Sequence, residues 1–483
     1  MLKNNTTKIL KEGLDKSEIF NQLNDFKSHD VPWQSGRAFA YVYEAPPATK
    51  AIVGEAIQLY LSENALDPTA FPSLLKLEQD VISIVINLLH GNAATVGNFT
   101  SGGTESIILA LKSARDYFRV HKPQITQPEI IVCETAHAAF HKACHYLGLT
   151  LRLVPMDAIT YTIDLQAVKD TINENTILLV GSAPNYSHGV MDPIVDLAAL
   201  AKEKGIFCHV DACVGGFYLP FAKMIGEDIP AFDFAVEGVT SISCDLHKYG
   251  YTVKGASVIL YSNATIRKYQ IFTCSDWTGY SIINPTVLSS KSGATLAGAW
   301  AAIHHLGEAG YKKMAQQTQA ATQQFIKGIS AIDGLKVLGK PVMNLVAVQS
   351  TKENVNIFQI ADKLKEKAWH IQVQLASERS PEALHLNINY ANVEWIDELL
   401  ADLAAVVASL SNEDNTLPEI PLDFFMEMLE EIGGFDNLAN ALGLGQDNTI
   451  DDFAMVNNVL NQLPSHMRTM LLTEFTNRMF VAR

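Results

Sequence analysis

Between residues 75 and 300, short β-branched runs alternate with helical stretches, and this alternation limits the fold more than any other feature of the chain. "EIIVCET" (129–135) precedes the helical "AFHKACHYLG", and "TILLVGSAP" (176–184) precedes "IVDLAALAKEKG". "IFCHVDA" (206–212) and "SVILYS" (257–262) continue the series. Strands that alternate with helices predict a largely parallel sheet covered on both faces, an α/β fold. Sites in such sheets form at the carboxyl ends of the strands, and the polar motifs fall there.

Around this unit the chain divides into four parts. An N-terminal arm is expected over 1–75, with a polar helix, the run "SGRAFAYVYEAPPATK" and an amphipathic helix near 50–62. The large α/β unit is expected over 76–305. A smaller α+β unit is expected over 306–410, with "KPVMNLVAVQS" as a strand and "IFQIADKLKEKAWHIQ" (357–372) as a helix. Residues 411–483 are rich in Leu, Met and Phe with acidic interruptions and read as a helical extension.

The 483 residues are 48% hydrophobic and 18% charged, which suits a globular protein with a large core. A net charge of -16 argues against nucleic acid or an anionic membrane as the main partner, so an anionic ligand needs a local positive pocket. The six cysteines show no CxxC spacing and read as free thiols in a reducing compartment, with no metal site. No run is long and apolar enough for a membrane span, and a cytoplasmic location is expected.

Three motifs are ambiguous singly. "TSGGTES" (100–106) sets adjacent glycines before an apolar helix, where backbone N–H groups favour a phosphate; an ordinary helix cap explains it equally well. "HVDACVGG" (209–216) places Asp211 at a strand end, to be used or to cap a turn. "CETAHAAFHKA" (133–143) places His137 past another strand end, where a histidine is more often structural. The fourth, "SISCDLHKYG" (241–250), puts Lys248 where strand gives way to loop. Burial lowers a lysine's pKa and makes the amine a nucleophile for a carbonyl. A phosphate cradle, an acid for a pyridinium nitrogen, a histidine to stack on a ring and a nucleophilic lysine are together what pyridoxal 5'-phosphate needs.

These motifs, with "GSAPNYSHGVMDP" (181–193) and "DLHKYGYTVKG" (245–255), resemble the fold-type I, group II pyridoxal-phosphate decarboxylases. Within that superfamily "GVTSIS", Cys213 and "YQIFTCSDWTG" are most similar to the sphingosine-1-phosphate lyase family. The likeness covers about residues 33–405. It implies that Lys248 binds the cofactor covalently, Asp211 holds its ring nitrogen protonated and His137 stacks on the ring. It places Gly103, Thr104 and His247 at the phosphate, Lys254 in proton transfer and Tyr43 near the substrate. It also implies a homodimer with shared active sites, Ser290 reaching the neighbouring subunit's phosphate.

Three positions depart from the lyase pattern. Asp67 stands for a histidine that helps hold the substrate phosphate, and "GYSI" (279–282) stands where the lyases read Gly-Gly-Ile-Tyr, losing the final tyrosine. Lys291 replaces an arginine, losing a bidentate contact. Three readings follow. The first is carbon–carbon cleavage of a 2-amino-3-hydroxy substrate, with or without a phosphate, which Asp67 and Lys291 would help select. The second is α-decarboxylation of an amino acid. The third is a catalytically silent scaffold that binds the cofactor.

Overall fold

A computed structural model describes residues 9–412 and 453–480. The β-branched runs form seven strands: β1 (Val96–Thr100), β2 (Glu129–Cys133), β3 (Thr150–Val154), β4 (Thr176–Ser182), β5 (Phe207–Asp211), β6 (Ser241–Asp245) and β7 (Ser257–Tyr261). They make one sheet in the order β1-β7-β6-β5-β4-β2-β3, parallel except for β7, which is antiparallel to both neighbours. Strands β2, β4, β6 and β7 are buried throughout, which is why they read as continuous apolar runs rather than alternating ones.

Ten helices accompany this sheet: α1 (Lys16–Lys27), α2 (Pro47–Leu59), α3 (Pro72–Leu88), α4 (Gly103–His121), α5 (Ala139–Leu147), α6 (Leu165–Thr171), α7 (Ile194–Lys204), α8 (Leu219–Met224), α9 (Ala264–Arg267) and α10 (Gly293–Ala331). Proline occupies the first position of α2 and α3, where its missing N–H costs nothing. Gly148 and Gly205 end α5 and α7 at φ 64° and 62°, a conformation that favours glycine. Helix α10 breaks at Gly307, which has φ 56° and ψ -179°. A hairpin of β8 (Phe272–Cys274) and β9 (Ile282–Asn284) stands outside the main sheet.

A second, antiparallel sheet joins β10 (Leu335–Val337), β11 (Leu345–Ser350), β12 (Gln372–Gln374) and β13 (Ala383–Asn387) in the order β10-β11-β13-β12. It packs with α11 (Ile357–Glu366) and α12 (Ile396–Ser411) around a core that includes Phe325, Val346, Phe358, Leu384 and Leu399, all fully buried. The helix expected over 357–372 stops at Glu366: Ala368 takes φ 63°, and the chain turns into β12. Burying Trp369 outweighs continuing the helix there, since a fully buried aromatic contributes about 1.5–3 kcal/mol.

The arm does not stand apart. Phe39 N–H donates to the His370 carbonyl (2.9 Å), and Asn387 N–H donates to the Phe39 carbonyl (2.8 Å), so the arm is laid against the small sheet. Helices α13 (Phe453–Gln462) and α14 (Ser465–Met479) follow, with Ala454 N–H on Asp362 and Ala376 N–H on Asn461. Of the expected helical extension, 413–452 and 481–483 lie outside the described residues, as do 1–8 of the arm. Among the described residues no helix is long and apolar enough to cross a membrane.

Candidate active site

The carboxyl ends of β1, β2, β4, β5 and β6 open onto a cavity of about 350 Å³. Gly102, Gly103 and Thr104 line it from the start of α4, His137 from the turn after β2, and Tyr186 from the loop after β4. Asp211 and Cys213 line it from the end of β5, and Asp245, His247 and Lys248 from the end of β6. The six cofactor residues expected from the large unit, Gly103, Thr104, His137, Asp211, His247 and Lys248, therefore share one cavity.

Local hydrogen bonding explains their placement. The Leu246 and His247 N–H groups both donate to the Ala256 carbonyl (3.0 Å each), which turns the chain out of β6 directly into Lys248. The Cys213 N–H (3.1 Å) and the Ser243 hydroxyl (3.3 Å) donate to Asp211 Oδ1. That anchors one oxygen of a 7%-exposed carboxylate and leaves Oδ2 for a ligand. The Ala139 N–H donates to His137 Nδ1 (3.1 Å), so a neutral His137 carries its proton on Nε2. His247 Nδ1 lies 2.8 Å from the Ala256 carbonyl and must donate to it, leaving Nε2 as the acceptor.

Lys248 differs from the expectation. Burial would lower its pKa, but Asp245, with Oδ2 2.8 Å from Nζ, outweighs burial and raises it, with Cys213 and Tyr43 adding in the same direction. Without cofactor, Lys248 is an ammonium. The amine with a depressed pKa is instead Lys254, pushed down to about 8 by burial and then by the charge of Lys248. Lys254 as a whole is exposed, yet its Nζ lies 5.0 Å from the centre of the buried Tyr43 ring and 3.4 Å from the His247 carbonyl. Tyr43 in turn packs edge-on against Tyr249 at 5.0 Å.

Three expected residues lie elsewhere. Ser290 is exposed. Asp67 and Lys291 line a second cavity of about 740 Å³ with Leu75, Tyr280 and Ile283. Asp67 Oδ1 accepts from the N–H (2.8 Å) and hydroxyl (2.6 Å) of Thr69, capping its own turn. Lys291 Nζ donates to Glu78 Oε2 (3.2 Å) and the Phe99 carbonyl (3.0 Å). Its charge is already used, and within this chain neither residue reaches the Lys248 cavity.

The residues of the first cavity fit pyridoxal 5'-phosphate. A Cβ at Gly103 would sit 2.7 Å from Cys213 Sγ and 3.0 Å from each Asp245 oxygen, so only glycine keeps the start of α4 open to a phosphate. The Lys248 amine, the Asp211 carboxylate and the His137 imidazole stand around the same space.

Comparison with known proteins agrees. Residues 6–350 match the pyridoxal-dependent decarboxylase conserved domain. The chain belongs to the pyridoxal-dependent decarboxylase family. It is a pyridoxal-phosphate-dependent lyase, and its relatives in the family include sphingosine-1-phosphate lyases. That of Oryza sativa subsp. japonica is 41% identical over 80% of this chain and 72% of its own length. That of Dictyostelium discoideum is 36% identical over 84% and 75%. A solved sphingosine-1-phosphate lyase of Burkholderia pseudomallei K96243 superposes with a TM-score of 0.80 at 32% identity, covering 88% of this chain and 97% of that one. Residues 401–478 match a separate model, a C-terminal putative HTH domain of pyridoxal-dependent enzymes, so most of the tail also has family counterparts.

Sequence reasoning overlooked four contributors. Asp245 pairs with Lys248, and Ser243 orients Asp211. Tyr186 lines the cavity while its hydroxyl donates to Gln372 of β12 (2.8 Å). Glu105 accepts from Ser101 N–H (2.6 Å) and Val287 N–H (2.7 Å), tying the glycine turn to a distant loop. Only Asp245, three residues before the lysine, carried a local signal. His188 and His209 have the structural roles expected of lone histidines: His188 stacks on Tyr161 at 4.3 Å, and buried His209 bonds to Ser241 (2.9 Å).

Proposed function

We propose that the protein cleaves the Cα–Cβ bond of a 2-amino-3-hydroxy substrate by a retro-aldol reaction, the substrate being of the phosphorylated sphingoid kind that its relatives' names specify. The observation that carries this reading is the second amine, Lys254, poised near neutrality beside the Lys248 cavity. Cleavage requires a base for the substrate's 3-hydroxyl proton, whereas loss of carbon dioxide does not.

When bound, the cofactor supplies an electron sink for the pair released as a bond to Cα breaks. Lys248 would hold the cofactor covalently. Asp211, fixed through Oδ1, would offer its other oxygen to the ring nitrogen. His137 would offer a ring face and Nε2–H, and the N–H groups at the start of α4 would take the phosphate, with His247 flanking it. Lys254 accepts the 3-hydroxyl proton, the Cβ fragment leaves as an aldehyde, and Tyr43 covers the amine.

Amino-acid α-decarboxylation is the second reading, favoured by 31% identity to a probable L-aspartate decarboxylase of Pyrococcus abyssi over the whole of that protein. Incubation with a phosphorylated sphingoid base and with an amino-acid panel separates the two. Aldehyde release supports cleavage, and carbon dioxide release with no turnover of any phosphorylated amine rejects it.

A homodimer in the cytoplasm, with Asp67, Ser290 and Lys291 lying near the partner's site, belongs to the same proposal. Tyr280 (62%) and Ile283 (65%) are exposed apolar side chains beside the second cavity, where a partner would cover them. The arm, the large unit and the small unit would then serve as cover, cofactor platform and wall. Light scattering that finds a fully active monomer would refute the dimer.

A further inference from the structure

Strands β5 and β6 pair so that His209 stands opposite Ser241 and Asp211 opposite Ser243. Alternate residues of a strand share a face, so "HVD" (209–211) and "SIS" (241–243) gather four polar side chains on one side of the sheet. They form a line that ends at the cavity: Ser241, His209, Ser243, Asp211. His209 and Ser243 are fully buried. The bond to Ser241 is only half of what His209 does. Its Nδ1 lies 2.9 Å from Ser241 Oγ, and its Nε2 lies 3.3 Å from Ser243 Oγ.

The hydrogens along this line have one consistent placement. A carboxylate has no proton to give, so the single Ser243 hydroxyl proton points at Asp211 Oδ1 (3.3 Å). Ser243 Oγ is then an acceptor towards His209, and Nε2 carries the ring proton. Burial pushes the His209 pKa down to about 4, so near neutrality the ring has one proton only. Nδ1 therefore accepts from the Ser241 hydroxyl. The Cys213 thiol, 3.3 Å from Ser243 Oγ, takes the remaining lone pair of that oxygen. Three dipoles point the same way, positive end towards Asp211, and buried bonds aligned head to tail polarise one another. The opposite tautomer would make Nε2 an acceptor, competing with Asp211 for the one Ser243 proton.

We propose that His209 is a positioning residue for the cofactor ring: as its Nε2–H tautomer it commits the Ser243 proton to Asp211 Oδ1, and so holds Oδ2 towards the ring nitrogen. His209 touches no ligand and acts only through Ser243. The proposal rests on Asp211 being the partner of that nitrogen, so its test reads Asp211 and His209 separately.

Cofactor-free protein is titrated with pyridoxal 5'-phosphate and with its analogue that has C–H in place of the ring nitrogen. His209→Leu and Ser243→Ala should each weaken binding of pyridoxal 5'-phosphate about tenfold, the size of one hydrogen bond to a charged group, and leave the analogue's affinity unchanged. His209→Gln offers an amide N–H near the place of Nε2 and should recover most of the loss. Ser243→Ala carries the comparison if the Leu variant fails to fold. Asp211→Ala should likewise weaken only the nitrogen-containing ligand; if it does not tell the two ligands apart, the role of Asp211 falls and the inference with it. If Asp211→Ala does discriminate while His209→Leu and Ser243→Ala weaken both ligands equally, or neither, the role of His209 alone is overturned. Nitrogen NMR of histidine-labelled, cofactor-free protein should find the His209 proton on Nε2, and a proton on Nδ1 would overturn that role as well.

Discussion

Lys254 Nζ lies 5.0 Å from the centre of the Tyr43 ring, and burial together with the charge of Lys248 brings its pKa down to about 8. The aromatic face stabilises the ammonium modestly, while partial desolvation of Nζ and the neighbouring cation destabilise it more. The result is an amine with both protonation states available near neutrality, as proton transfer requires.

The neutral amine is the form that accepts a proton, so kcat/KM should rise with pH through about 8 and level off above it. Lys254→Gln should lower kcat by about 100-fold or more and flatten that rise, since general-base groups contribute roughly 10²–10⁴. Cofactor absorbance should be unchanged in the variant. An unaltered pH profile in Lys254→Gln would assign the proton to another group.

Lys248→Ala should bind the cofactor without a covalent bond. Borohydride reduction of the unmutated protein should place a pyridoxyl mass on the peptide holding Lys248, and dialysis should strip the variant of its cofactor. A stable adduct on a different lysine would reject the assignment.

The site was legible where chemistry and chain direction coincide. Lys248, Asp211 and His137 each follow a buried run, so reading the strands located the residues. The ionisation of Lys248 was not legible, because it turns on whether the Asp245 side chain points along or across the chain. Asp67 and Lys291 lie on loops whose partners, Thr69, Glu78 and Phe99, are set by tertiary packing, and strand periodicity says nothing of them. The end of α11 was misread for a similar reason: "KEKAWHIQ" has ordinary helix formers, and only the buried slot for Trp369 turns it into a strand. The alternating pattern did predict the sheet, because parallel strands must be apolar on both faces.

Gly103→Ala should weaken cofactor binding at least tenfold, as the added methyl would sit 2.7 Å from Cys213 Sγ and 3.0 Å from the Asp245 oxygens. These neighbours are buried and cannot swing aside. Pairing it with Cys213→Ala should recover part of the affinity, because the closest clash is then gone. Absorbance titration with pyridoxal 5'-phosphate measures both, and equal affinity for Gly103→Ala and the unmutated protein would contradict the packing argument.

Arg37 ties the segment before α2 to Trp369, Trp395 and Glu398. Its guanidinium lies 4.3 Å from the centre of the Trp369 ring and 4.4 Å from that of Trp395, and it forms an ion pair with Glu398. Cation–π contacts contribute about 0.5–2 kcal/mol depending on desolvation, and an exposed ion pair adds less than about 1. Arg37→Ala should therefore destabilise the protein by about 1–3 kcal/mol in chemical denaturation, with Arg37→Lys recovering only part. No loss in Arg37→Ala would mean that Phe39 and its backbone bonds hold the arm alone.

Acid should destabilise the fold beginning below about pH 6.5. His188, His209 and His385 are buried, and burial pushes each pKa down to about 4 from the ordinary 6.5. Between those values the unfolded chain binds more protons than the folded one at all three sites, so stability is fully present above about 6.5 and is lost as pH falls towards 4. Asp192 works in the opposite sense: burial raises its pKa to about 6, so it adds stability as pH falls through 6. Three groups against one of comparable shift leave a net loss. The unfolding midpoint measured from pH 7.5 to 4.5 should fall, and His385→Leu should lessen the fall, because the His385 ring is fully buried and packed against Tyr186 at 4.3 Å. A midpoint that holds level over that range would show that these histidines take up protons without unfolding, and the burial argument for them would fail.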